Sequence, residues 1–135
     1  MCFKKLWVLQ FSMGLALFLI AAGCSTGGEL VKEIVAEPGR GTVTITASSF
    51  KFEPSVIEAR RGTELTLEIV NVADASHNFT IKDPHDQILR SVDLPPKQTV
   101  SLKIPLQEAG TYEFYCDIPF HATLGMKGKI EVGEY

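Results

Sequence analysis

From Thr42 onward the chain is a succession of short alternating or β-branched runs, each closed by residues that bend a backbone, and this pattern leaves room for little but sheets. Eight runs stand out: Thr42 to Ala47, Val56 to Ala59, Glu64 to Val72, His77 to Ile81, Ile88 to Val92, Thr99 to Ile104, Gly110 to Cys116 and Lys127 to Val132. Between them lie Glu53-Pro54, Arg61-Gly62, Asp74-Ala75-Ser76, Asp83-Pro84-His85-Asp86, Leu94-Pro95-Pro96-Lys97 and Glu108-Ala109-Gly110, all turn chemistry. No convincing long helix interrupts them and no internal repeat is visible. The expected fold is all-β, an antiparallel sandwich or Greek-key barrel of about eight strands. At 135 residues, 45% of them hydrophobic, the chain has material for one core, placed at 42–135.

The N-terminus reads differently. Lys4 and Lys5 precede an apolar stretch from Leu6 to Ala22, broken by Gln10, Ser12 and Gly14, as in an export signal. It ends in Ile20-Ala21-Ala22-Gly23-Cys24, which resembles the bacterial lipobox, so residues 1–23 are expected to be a signal peptide and Cys24 the lipidated new N-terminus. An uncleaved membrane helix over Leu6 to Gly23 is the competing reading. Either places the domain outside the cytoplasm, tethered to a bacterial membrane on its periplasmic or outer-surface side. Residues 24–41, Gly-rich and charged and closed by Pro38-Gly39-Arg40-Gly41, read as a tether. Within it Leu30, Val31, Ile34 and Val35 share a helical face, which would also suit a short helix packed on the domain.

The chain carries 13 basic and 16 acidic side chains, and loss of residues 1–23 removes two lysines and no acid, leaving 11 against 16. A net charge of −5 disfavours nucleic acid as a partner. Of the three cysteines, Cys2 lies in the signal, Cys24 at the processing site and Cys116 alone in the domain, so no disulfide can form within it. A single thiol in an oxidising compartment is better explained by metal ligation than by packing.

Cys116 has suitable company. His121 and Met126 follow it before the next expected strand, and His77 opens the strand after the Asp74-Ala75-Ser76 turn. One thiolate, two imidazoles and one weak thioether form the donor set of a mononuclear electron-transfer copper site, which accommodates Cu(I) and Cu(II) about equally. In the strand before the motif, Tyr112, Phe114 and Cys116 alternate with Thr111, Glu113 and Tyr115; the first set is expected to face inward, placing the sulfur at the end of the core. His85, in a turn with two aspartates, has no such neighbours and reads as a solvated residue.

With Gly110-x-Tyr112-x-Phe114-x-Cys116, the His77-Asn78 pair and Gly128-x-Ile130-x-Val132, residues 42–135 resemble the cupredoxins, small blue copper proteins. The spacing Cys-x4-His-x4-Met is similar to the long loop of rusticyanins and auracyanins. The resemblance implies one type 1 copper per domain, with His77, Cys116 and His121 as equatorial ligands and Met126 axial. It also implies that Asn78 ties the two ligand segments together with its backbone N–H toward the sulfur. By the same likeness Pro119 stiffens the loop, and the Ser76 carbonyl offers a weak contact opposite Met126.

The function expected from this is one-electron transfer without a small-molecule substrate. Ile118, Pro119, Phe120, Ala122 and Leu124 would form an apolar rim around the exposed edge of His121, suited to transient docking of redox proteins. A copper nitrite reductase or multicopper oxidase would need more histidines than His77, His85 and His121, and a binuclear centre would need a second cysteine in the ligand loop. The reading that sequence separates least from electron transfer is a copper carrier or storage lipoprotein that hands over its metal.

Overall fold

The computed structural model describes residues 35–36 and 39–134; the expected signal peptide, Cys24 and most of the tether lie outside them. Ten strands appear among the described residues: β1 Val35–Ala36, β2 Arg40–Ser48, β3 Lys51–Glu53, β4 Val56–Arg60, β5 Thr63–Asn71, β6 His77–Lys82, β7 Ile88–Leu94, β8 Thr99–Leu106, β9 Gly110–Tyr115 and β10 Lys127–Gly133. Each of the eight expected runs is a strand, and β1 and β3 are additional. Val35, one of the four residues that would suit a helical face within the expected tether, lies in β1, paired with Glu58 of β4. Leu30, Val31 and Ile34 are outside the described residues.

The strands form two sheets, ordered β1-β4-β10-β9-β6-β7 and β3-β2-β5-β8. This is the expected all-β sandwich, with parallel pairs added to its antiparallel ones. β2 runs parallel to β5, and β4 runs parallel to both β1 and β10. Side-chain periodicity reports which face a residue occupies and is blind to the direction of the neighbouring strand, so this feature was not readable.

Alternation is clearest in β5, where Thr63, Leu65, Leu67, Ile69 and Asn71 are buried and the intervening residues are not. β9 alternates as expected: Tyr112 and Phe114 are buried, and Cys116 beyond its end has no exposed surface. β6 departs from the rule, with every residue from His77 to Ile81 buried. It lies inside the larger sheet, between β9 and β7, and its outward side carries a polar network rather than water: Thr80 Oγ1 donates to Asn78 Oδ1 at 3.2 Å and Asn78 Nδ2 to Ser91 Oγ at 3.1 Å.

Beneath one end of the sandwich Phe52, Phe79 and Phe114 pack together. Phe79 and Phe114 stack at 5.1 Å between centroids, and Phe52 meets them edge-on at 5.5 and 5.7 Å. Phe79 shares a face of β6 with His77, and Phe114 shares a face of β9 with Cys116. The cluster therefore fixes both ligand-bearing strands from below. Gly128 makes this packing fit, because a Cβ there would lie 2.4 Å from both Phe114 Cζ and the Ser55 carbonyl oxygen.

Candidate metal centre

His77 begins β6, and Cys116, His121 and Met126 all belong to the connection between β9 and β10. Those strands pair antiparallel, with Lys127 opposite Tyr115, so the loop must leave and return at adjacent points. Its closure is made by backbone: Cys116 N–H donates to the Met126 carbonyl at 3.0 Å and Met126 N–H to the His121 carbonyl at 2.9 Å. All three ligand candidates on the loop are thus tied to one another by main-chain bonds. Inside it, His121 N–H bonds the Ile118 carbonyl, Leu124 N–H that of Phe120 and Gly125 N–H that of Ala122, a compact run of turns.

The Cys116 sulfur and one ring nitrogen each of His77 and His121 lie within 4.8 Å of one another. His77 Nδ1 is 3.3 Å from His121 Nδ1, and Cys116 Sγ is 3.6 Å from the same His121 atom. For bonds of about 2.0 Å to imidazole nitrogen and about 2.3 Å to thiolate sulfur, such separations correspond to near-tetrahedral angles at a central ion. The residues therefore fit a transition metal. One thiolate and two imidazoles, with a thioether as a weak fourth donor, make up the donor set of a mononuclear blue-copper site.

Burial differs sharply around the site. Cys116 and Met126 have no exposed surface and His77 is 4% exposed, whereas His121 is only half-buried. Burial, and secondarily the nearby His121 imidazole, push the His77 pKa below its usual value, which keeps this ring neutral and its lone pair free to ligate. Its other nitrogen, Nε2, is buried with no hydrogen-bond partner among the described residues, so the ring is oriented by packing rather than by an outer acceptor.

Asn78 Oδ1 accepts from the Asp117 backbone N–H at 3.0 Å, joining β6 to the residue after the thiol. Ser76 and Pro119 are exposed, the first before β6 and the second within the loop turns. Of the rim residues, Phe120 is 77% and Leu124 60% exposed, Ala122 is partly buried, and Ile118 packs against the core. His85 is remote from this group; its Nε2 lies 2.6 Å from Glu108 Oε2.

Two residues escaped the sequence reading. Asn71 is fully buried at the end of β5, and its Nδ2 donates to the carbonyls of Ala75, Leu94 and Pro95 while its Oδ1 accepts from Ala73 N–H. It shapes the loop that delivers His77. Phe50, between β2 and β3, sets its ring edge-to-face against His121 at 4.9 Å between centroids. Neither had a local signal, because each acts on partners that are distant in the chain.

The model of the cupredoxin-like domain family matches residues 14–132, and the chain belongs to that family. No match to a curated protein is found. Among solved structures, reduced rusticyanin aligns with a TM-score of 0.63 and 24% identity, covering 81% of this chain and 87% of its own. Dithionite-reduced auracyanin of Roseiflexus castenholzii gives 0.61 and 20%, covering 73% of this chain and 98% of its own. The metal-binding domain of the Cu(I)-exporting P-type ATPase CopA of Streptococcus pneumoniae D39, solved with Cu(I), gives 0.60 and 18%, with 78% and 99% covered. At these identities the likeness is one of fold. His77, Cys116, His121 and Met126 are positioned as a type 1 copper site within it.

Proposed function

We propose that the protein is a one-electron carrier that holds a single copper ion through His77, Cys116, His121 and Met126. In this reading it is anchored by lipid on Cys24 to a bacterial membrane outside the cytoplasm. The observation that carries the proposal is the asymmetric burial of the donor set. Three of the four residues are shut from solvent and fixed by strands or loop backbone, while His121 alone reaches the surface. A bound copper ion supplies the one-electron chemistry. The enclosed donors keep ligand rearrangement between redox states small, and the His121 edge gives an electron a short path to a partner.

Phe120 and Leu124 flank that edge as exposed apolar side chains, a small contact of the kind that favours rapid dissociation of redox proteins. A backbone N–H from Asn78 toward the Cys116 sulfur and a Ser76 carbonyl opposite Met126 belong to the same proposal. The sequence from Lys4 to Cys24 supports the lipid anchor. Protein-film voltammetry tests the redox role: a reversible one-electron wave that disappears in Cys116→Ser is expected, and a wild type loaded with copper yet silent over the accessible range would refute it.

A second reading, copper delivery, gains support from the shared fold of the CopA metal-binding domain. Stopped-flow mixing with a chromogenic Cu(I) chelator separates the two. A carrier of electrons retains copper over many electron self-exchange events, whereas a donor of metal releases it on the timescale of encounter.

A further inference from the structure

We infer that Phe50 is a positioning residue for His121, a clamp from the smaller sheet that holds the one solvent-facing ligand ring in place. The inference rests on the copper-site reading above. His77 is immobilised by being buried at the start of β6, but His121 lies in a run of turns and is only half-buried. An imidazole so placed needs another restraint. Phe50 provides one, with ring centroids 4.9 Å apart and planes 75° from parallel, the edge-to-face arrangement that aromatic quadrupoles favour.

Two further facts argue that Phe50 is not at its position for the sake of folding. Its φ is +59°, in the left-handed region where a bulky side chain is strained. Its ring remains 42% exposed, so it forgoes much of the apolar burial that would otherwise justify an aromatic residue there. The contact between Phe50 and the ligand loop is the ring contact at His121. A glycine or asparagine would satisfy the local backbone better. A phenylalanine satisfies the neighbouring imidazole.

The test uses the full chain loaded with one equivalent of copper. Phe50→Gly removes the ring and relieves the backbone, so the thermal midpoint of the metal-free protein should hold or rise. Transfer of Cu(I) to a chromogenic chelator should nevertheless run roughly 2- to 10-fold faster than in wild type, with a shifted thiolate-to-copper absorption. Phe50→Tyr, which keeps the ring, should restore the wild-type rate and spectrum. A wild-type release rate and spectrum in Phe50→Gly would overturn the inference, as would Phe50→Tyr releasing as fast as Phe50→Gly. Failure of the copper reading would show separately, as a wild type that takes up no copper. NMR of labelled histidine in the metal-free protein would then decide the role of Phe50: His121 ring signals averaged by motion in Phe50→Gly support it, and unchanged signals refute it.

Discussion

Replacing Asn71 by alanine should destabilise the domain and loosen the metal site together, although Asn71 touches none of the proposed ligands. The amide has four partners: its two N–H groups reach the carbonyls of Ala75, Leu94 and Pro95, one of them shared, and its Oδ1 accepts from Ala73 N–H, and only the Leu94 contact is wholly buried. A buried group left unsatisfied costs about 1–3 kcal/mol, while the part-buried groups can recover water and cost about 0.5 kcal/mol each, giving about 3 kcal/mol in all. For a domain of this size each kcal/mol moves Tm by about 4–8 °C, so Asn71→Ala should melt about 12–24 °C lower. Asn71→Asp should be worse than alanine, since it sets a carboxylate against three carbonyl oxygens. Because the affected loop delivers His77, copper affinity should fall in both variants. Differential scanning calorimetry of the metal-free proteins and competitive copper titration are the assays. An Asn71→Ala protein melting within about 3 °C of wild type, or an aspartate variant more stable than the alanine one, would refute the reasoning.

Other consequences can be checked independently. The hydrogen bond and charge of Glu108 raise the His85 pKa above its ordinary value. The contact therefore contributes stability fully present below about pH 6.5 and lost as pH climbs through the raised folded value. NMR titration should show the midpoint dropping toward the ordinary value in Glu108→Gln, and an unmoved midpoint would contradict the pairing. Gly128→Ala should cost more than about 2 kcal/mol in chemical denaturation, since Phe114 and the Ser55 backbone occupy the space its methyl needs. Paired substitutions Phe120→Glu and Leu124→Glu should slow electron self-exchange about tenfold by like-charge repulsion across the contact, with Tm unchanged because both side chains are exposed. An unaltered self-exchange rate would place the electron path elsewhere.

Much of the sandwich was legible because its strands obey alternation. Thr63 to Asn71 and Gly110 to Tyr115 show the inward set that the residue pattern announces, and turn residues mark most boundaries within a residue or two. What escaped depends on partners that alternation does not encode. The parallel pairing of β2 with β5 requires a crossover through β3 and β4, and the short β3 carries Phe52 into the aromatic cluster, a partner its own three residues do not announce. β6 looks like a half-buried strand in sequence, yet Asn78 and Thr80 are buried too, because Ser91 on β7 and Asp117 after β9 satisfy their polar atoms. At the site, residue type and spacing sufficed for the four donor residues. Asn71 and Phe50 were invisible, since a buried amide and a strained aromatic reveal their purpose only when the loops they brace are adjacent.

Whether the four donor residues hold one copper ion is decided by stoichiometric titration with Cu(II), followed by visible absorption and EPR of wild type and Cys116→Ser side by side. An intense thiolate-to-copper band should appear in the red part of the visible spectrum, saturate at one ion per chain and be absent from the serine variant. A wild type that stays colourless, or a band that persists without the Cys116 sulfur, would contradict the copper assignment.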